Sequence, residues 1–176
     1  MGTVDRTGAR VLLALDQEPL ATTVALADRL RLARNTVQSR QRRMESDGTL
    51  APPSVRVRPE RLGRPVLAFI TLEIGQVEGE RTLDEIAAVP EVCEVHAVTG
   101  TADLLLRVVA RDSEDLYRVT RTLLSCSGVI RSNTMLSLVE VVPLRMAPLL
   151  RETAENGERP GHPGDQGPST TVVDSV

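Results

Sequence analysis

Residues 22–48 read TTVALADRLRLARNTVQSRQRRMESDG. Thr22 is suited to cap a helix holding Val24, Leu26, Ala27 and Leu30. A short polar turn follows at residues 31–33. The spacing then predicts a third helix over Arg34–Ser46, with Val37 and Met44 inward. Asp47-Gly48 ends it, glycine being usual just past a helix end. From Arg31 to Arg43 there are five arginines and no acid. With Val37 and Met44 inward, Arg34, Asn35, Gln38, Ser39 and Arg42 fall mostly on the outer faces. Arginine can pair with guanine or phosphate, and asparagine or glutamine with adenine. A helix N-terminus also suits a phosphate. A short helix, a tight turn and a basic polar helix form the helix-turn-helix pattern. The candidate DNA-binding set is Arg31, Arg34, Asn35, Thr36, Gln38, Ser39, Arg40, Arg42 and Arg43. A three-helix bundle with a solvated charged face is the competing reading, which the combined apolar and basic spacing disfavours.

Upstream, residues 4–16 read as a first helix with Val11, Leu12 and Leu15 on one stripe, and Pro19 breaks the chain after it. Downstream, residues 50–57 read as extended, although Pro52 and Pro53 forbid a central strand. Residues 58–63 read as a turn or one helical turn. The domain boundary falls in 51–65, after a helix-turn-helix domain at 1–50.

The pattern then changes. A strand is predicted at Val66–Ile74 and a polar loop at 76–81. Thr82-Leu83-Asp84-Glu85 has capping-box form and would open a helix holding Leu83, Ile86, Ala87 and Val89. Strands follow at 92–98 and Leu104–Ala110, joined by a turn around Gly100. Ser113 would cap a helix at 114–124, with Leu116, Val119, Leu123 and Thr120 inward. Ser127-Gly128 closes it, and residues 130–142 read as a long last strand. The order is βαββαβ, a ferredoxin-like domain over 66–150 with both helices on one sheet face. Leu67, Phe69, Thr71 and Glu73 alternate with Val66, Ala68, Ile70 and Leu72, so the other face is largely apolar and points to dimerisation. Residues 151–176 are rich in glycine, proline and acid, which predicts a disordered tail. The fold class is α+β: an N-terminal three-helix (winged) helix-turn-helix followed by the ferredoxin-like domain.

Net charge is −3 over 176 residues, but it is unevenly spread. Residues 1–50 carry 8 Arg against 6 acids, and 51–65 carry 4 Arg against 1. Residues 66–150 carry 7 Arg against 12 acids, and 151–176 carry 2 against 5. A basic first third and an acidic remainder suit one domain that meets DNA and one that does not. All 21 basic residues are arginine, which reads as the bias of a GC-rich genome, with a gain in phosphate-pairing strength as a further consequence. The only aromatics are Phe69 and Tyr117, too few for a single-strand binder built on base stacking. Cys93 and Cys126 make no disulfide framework, and with His96 and His162 they form no metal-ligand spacing. No metal and no cofactor is expected. No apolar run can cross a bilayer and MGTVDRT has no signal region, so no membrane association is expected and the expected location is cytoplasmic. No nucleophile–base pair, phosphate loop or paired-carboxylate site stands out, so no enzymatic activity is expected.

Five strings together resemble the Lrp/AsnC (leucine-responsive/asparagine regulator, feast-famine) family of transcription factors. They are VDRTGARVLLAL, ALADRLRLARNTVQSRQRRMESDGTL, RPERLGRPVLAFITLEI, VPEVCEVHAVTGTADLLLRVVARD and GVIRSNTMLSLVEVV, spanning residues 4–142. The resemblance implies sequence-specific double-stranded DNA binding and a homodimer, with tetramers or octamers in some members. It also implies an amino-acid effector between subunits, held by Gly100, Thr101, Ala102, Asp103 and Leu104 with Thr134 and Ser137 of a neighbouring subunit. Loop amides can hold a carboxylate and Asp103 an ammonium. The family's loop usually reads Gly-Asp-x-Asp-Tyr/Phe, so one acid and one aromatic are absent here. Ala33 stands where the family has a serine cap, Gln41 where it has an apolar residue, and Gly8 where it has an acid. Two other readings remain open. Sirohaem decarboxylases share the two-domain look but need histidines around a tetrapyrrole, and His96 is the one histidine in the ordered region. A ligand-sensing oligomer with a vestigial DNA domain is the other.

Overall fold

A computed structural model describes residues 3–75 and 79–156. The described chain divides into two compact units, one of residues up to Ala51 together with those from Leu144 onward, the other Pro52–Pro143.

The first unit holds α1 (Arg6–Gln17), α2 (Thr23–Leu30), α3 (Arg34–Ser46) and α6 (Ala147–Asn156). Asp5 caps α1 by accepting the Gly8 N–H at 2.7 Å, and Thr22 caps α2 by accepting that of Ala25. Val11, Ala14, Leu26, Ala27, Leu30, Val37 and Met44 form one core. Their spacing on three short helices produces a single apolar stripe per helix. Gln41 is half-buried, and its Oε1 faces the Thr23 hydroxyl at 3.4 Å, which supplies a polar partner at this inward position.

The second unit is a four-stranded antiparallel sheet in the order β2-β3-β1-β4, with helices between. Its elements are β1 (Val66–Ile74), α4 (Gly79–Ala87), β2 (Val92–Ala97), β3 (Leu104–Ala110), α5 (Ser113–Leu124) and β4 (Val129–Leu136). This is the α+β ferredoxin-like arrangement. Ala68, Ile70 and Leu72 of β1 and Leu104, Leu106 and Val108 of β3 meet Ile86, Leu116, Val119 and Leu123 of the helices. The opposite face carries Leu67, Phe69 and Thr71, with Leu105, Arg107, Asn133 and Met135 beside them.

Several predicted boundaries move. The stretch read as extended at 50–57 contains a 3₁₀ turn at Pro53–Arg56. Helix α4 starts at Gly79, so Thr82 and Glu85 are not a capping box. Buried Thr82 instead donates to the Ser127 carbonyl at 2.6 Å, and Glu85 accepts the Ser127 N–H at 2.6 Å. The pair pins the turn between α5 and β4. Asp112, not Ser113, caps α5 by accepting from the Asp115 N–H. Strand β4 ends at Leu136 rather than 142. Its partner β1 begins just after Pro65, and the last ladder bond runs from the Ser137 N–H to the Leu67 carbonyl. Beyond that point no strand is there to pair with it. The reading of 151–176 as a disordered tail is revised for 151–156, which belong to α6; residues 157–176, and residues 76–78 of the predicted polar loop, lie outside the described residues.

Candidate nucleic-acid interface and effector loop

The turn before α3 is tight. Arg31 ends α2 in the left-handed region at φ 54°, and the Leu32 N–H reaches back to the Ala27 carbonyl. Arg31 is the one non-glycine among the described residues with positive φ. A side chain is kept where glycine would relieve about 1 kcal/mol of strain, a pattern associated with functional positions. Ala33 leads into α3 without a side-chain cap.

The structure brings most of the predicted DNA-binding set onto one exposed surface. Arg31, Arg34, Asn35, Ser39, Arg42 and Arg43 are exposed, while Thr36, Gln38 and Arg40 are half-buried. The side chains of Arg31, Arg34 and Arg42 have no ion pair or hydrogen bond among the described residues. Arg43 lies 3.9 Å from Asp47, one helical turn away. Arg40 is different. Its guanidinium meets the Asp5 carboxylate at 2.6 Å, so one side chain caps α1 and holds α3. The Gly8 N–H and then Arg40 keep the Asp5 carboxyl below its ordinary range. Gly8 makes the room: a Cβ there would lie 3.1 Å from the Val4 side chain and 3.3 Å from the Asp5 carboxylate. Sequence spacing on α3 alone could not find this long-range pair.

The candidate effector loop also has internal ties. Gly100 turns at φ 123°, a region that favours glycine. Asp103 accepts the Ile74 N–H at 2.9 Å, and its own N–H donates to the Leu72 carbonyl at 3.0 Å. One Asp103 carboxylate oxygen therefore closes the β2–β3 turn onto β1. Thr101 is exposed and Ala102 half-buried, whereas Leu104 points into the core at 4% exposure. Thr134 lies opposite Ile70, and Ser137 beside Leu67, while Leu104 lies opposite Leu72. Within one chain, Ser137 and the loop are thus about 17 Å apart along β1, at roughly 3.4 Å per residue. They can share a ligand only across subunits. Ser137 lines a separate hollow of about 140 Å³ with Leu67, Arg107, Val109, Arg64 and Glu140.

A buried ionic cluster went unseen in the sequence. Glu91 and Asp115 are 6% and 4% exposed. Arg118 bridges them at 2.6 and 2.9 Å, Arg111 meets Asp115 at 3.1 Å, and Arg64 meets Glu91 at 3.4 Å. The Arg111 side chain and N–H, then Arg118, hold the Asp115 carboxyl far below the carboxylate range. Burial instead pushes the Cys93 thiol up, as it does Cys126. His96 is exposed beside Glu94 at 3.7 Å. Among the described residues no group of three or more His, Cys, Asp or Glu could hold a metal ion, and no helix is long and apolar enough to cross a membrane.

A helical unit with an exposed basic second helix of a helix-turn-helix, followed by a ferredoxin-like unit, defines a class: two-domain DNA-binding regulators. Comparison with known proteins narrows it. Residues 4–50 match the model of a winged helix-turn-helix DNA-binding domain, and residues 67–146 that of the Lrp/AsnC ligand-binding domain. A helix-turn-helix transcriptional regulator of Pyrococcus horikoshii is 30% identical over 142 residues, 78% of this chain and 95% of that one. The regulator FL11 of Pyrococcus furiosus is 29% identical over 107 residues, 61% of this chain and 71% of that one. A transcriptional regulator from Neisseria meningitidis, solved with L-Met, aligns with TM-score 0.71 at 27% identity, covering 80% of this chain and 94% of that one. E. coli AsnC aligns with TM-score 0.73 at 20% identity, covering 84% and 100%, a likeness of fold. The chain belongs to the Lrp/AsnC family of transcriptional regulators.

Proposed function

We propose that this protein binds double-stranded DNA sequence-specifically as a homodimer or larger assembly, and that a small metabolite between subunits tunes its control of transcription. The carrying observation is the outer face of α3. Arg34 and Arg42 have exposed, unpaired side chains there and Arg31 has one in the turn before it, with Asn35, Gln38 and Ser39 among them and no acid from Arg31 to Arg43. Arg40 serves mainly to hold α3 on Asp5, and Arg43 and Thr36 flank the contact surface. The first unit is the DNA-binding part; the sheet, with its face of Leu67, Phe69, Leu105 and Met135, is the dimerising part. The protein acts as a regulator rather than an enzyme, in the cytoplasm where a bacterial or archaeal chromosome lies.

The effector reading rests on Gly100, Thr101, Ala102 and Asp103, with Thr134 and Ser137 supplied by a neighbouring subunit. The L-Met complex of the Neisseria relative supports an amino acid or a close analogue as the class. Thr101 stands where the family has an acid, and Leu104 is in the core. The missing acid favours a ligand with a smaller cationic demand than a family member with two loop acids would take, and the buried Leu104 offers it no aromatic face. Gel-shift titration with the chromosome's own upstream region tests the DNA reading; folded protein that binds no fragment specifically at moderate salt overturns it. Calorimetry with a panel of amino acids tests the effector reading, and the absence of heat for every one removes it.

A further inference from the structure

We infer that the segment between the two sequence domains is itself a DNA contact: Arg56, Arg58 and Arg61 form a second phosphate-binding surface, tethered through the chain to the recognition helix. The inference rests on the reading of the chain as a DNA-binding regulator and adds to it residues outside the helix-turn-helix.

Exposed arginines without a partner are unevenly distributed. Outside α3 and the turn before it, the described chain gathers three of them within six residues, at positions 56, 58 and 61. All three are exposed, and among the described residues their guanidinium groups make no hydrogen bond or ion pair; the one bond between them is of backbone, from the Arg61 N–H to the Arg58 carbonyl at 2.9 Å. Glu60 is the one acid in residues 51–65. A solvated linker needs no such bias, and unbalanced like charge at close spacing is unfavourable until an anion arrives.

The segment is also shaped to hold the charges out. It runs as two short 3₁₀ turns, Pro53–Arg56 and Pro59–Leu62, each opened by proline. Pro52, Pro53, Pro59 and Pro65 remove backbone freedom before any binding, so little order is left to be lost on contact. The far end is anchored. The Arg64 N–H donates to the Pro59 carbonyl at 2.9 Å, and its side chain joins the Glu91–Asp115 cluster. Of the four arginines in this segment, one is spent on structure and three are left free. The near end is tethered to the recognition helix. Arg56 lies ten positions beyond Ser46, a reach of at most about 36 Å. Duplex DNA offers one phosphate charge per roughly 1.7 Å of axis, so a surface on so short a tether has many backbone phosphates within the reach of the chain when α3 is in a groove. Guanidinium groups suit such contacts by geometry as well as charge.

The test compares the full-length chain with R56Q/R58Q/R61Q, R56K/R58K/R61K and R34Q. Each is titrated by fluorescence anisotropy against a footprinted upstream fragment and a scrambled duplex of equal length, over a series of salt concentrations. For the Gln variant, the slope of log affinity against log salt should become shallower by about 2 to 3, at roughly 0.9 for each phosphate no longer neutralised. Affinity should fall roughly ten- to a hundred-fold at moderate salt. Both duplexes should lose by the same factor, because phosphate contacts carry no sequence information. The Lys variant should restore the slope, while R34Q should lose preference for the footprinted fragment. A Gln variant with the wild-type slope, or one whose loss accompanies a changed oligomeric state in light scattering, overturns the inference. If wild type itself binds neither duplex, the function proposed above fails instead.

Discussion

At the residue scale, the arginines of α3 have two jobs that the sequence does not separate. Arg42 is exposed and free, while Arg40 is tied to Asp5. Replacing Arg42 with Ala should lower DNA affinity and leave thermal stability unchanged. Replacing Arg40 with Ala should cost up to about 1 kcal/mol of stability, the range for a partly exposed ion pair, as read by urea unfolding. Equal effects of the two substitutions on binding and stability would contradict this division. Ala33 offers a gain. It enters α3 with extended backbone and no side-chain bond, so Ala33→Ser should supply the missing cap and stabilise by about 1 kcal/mol. A lower unfolding midpoint for this variant would show that the backbone there does not admit the cap.

At the element scale, two features tie distant parts of the chain together. Helix α6 lies along α1 within the first unit. Ala147, Leu150 and Ala154 recur at helical spacing and are half-buried, and Ala9 on α1 is fully buried outside the core shared with α2 and α3. Ending the chain after Pro143 should therefore cost on the order of 2 kcal/mol, from re-exposing one leucine and small neighbouring side chains. Hydrogen exchange should speed up in α1, and unchanged protection would mean that α6 contributes nothing to its stability. The second feature is the Glu91–Asp115 cluster with its arginines. The folded pKa of Asp115 lies far below its ordinary value of 3.8, so its contribution is present above that pH and is lost progressively as pH falls from there toward the lowered folded pKa. The thermal midpoint should drop on acidification below about pH 4, and Asp115→Asn should both lower it at neutral pH and flatten that acid limb.

At the scale of the whole molecule, the proposed assembly rests on the sheet face opposite the helices. Phe69 is 38% exposed in the single chain, opposite Arg107 on β3 and Met135 on β4. Phe69→Asp places a charge at the centre of that face and should yield monomers by light scattering. DNA affinity should fall with it, since two linked recognition helices read two half-sites. A dimer that survives the substitution would put the interface elsewhere. Gly100–Asp103 and Ser137 stand at opposite ends of β1, so the same variant should also abolish any effector heat.

Much of this protein is legible in the sequence. The helix at Arg34–Ser46, the strands at Val66–Ile74 and Leu104–Ala110 and the acid-free run of arginines all depend on neighbours within a turn or a pleat. Periodicity and charge along the chain encode such features directly, and five strings in order were enough to indicate the family. What the sequence left open involves partners far away. Apolar alternation continues to Val142, yet β4 stops at Leu136 because β1 starts after Pro65. Thr82 and Glu85 have capping spacing, yet they hold Ser127, 42 to 45 residues on. Arg40 reaches 35 residues back to Asp5, and Arg118 reaches 27 back to Glu91. A helix at Ala147–Asn156 forms against α1 even though its flanking composition reads as tail. In each case the deciding interaction joins residues that only the crossing of the folded chain brings within bonding distance. Local pattern can name a group able to bond but not which distant group it will meet.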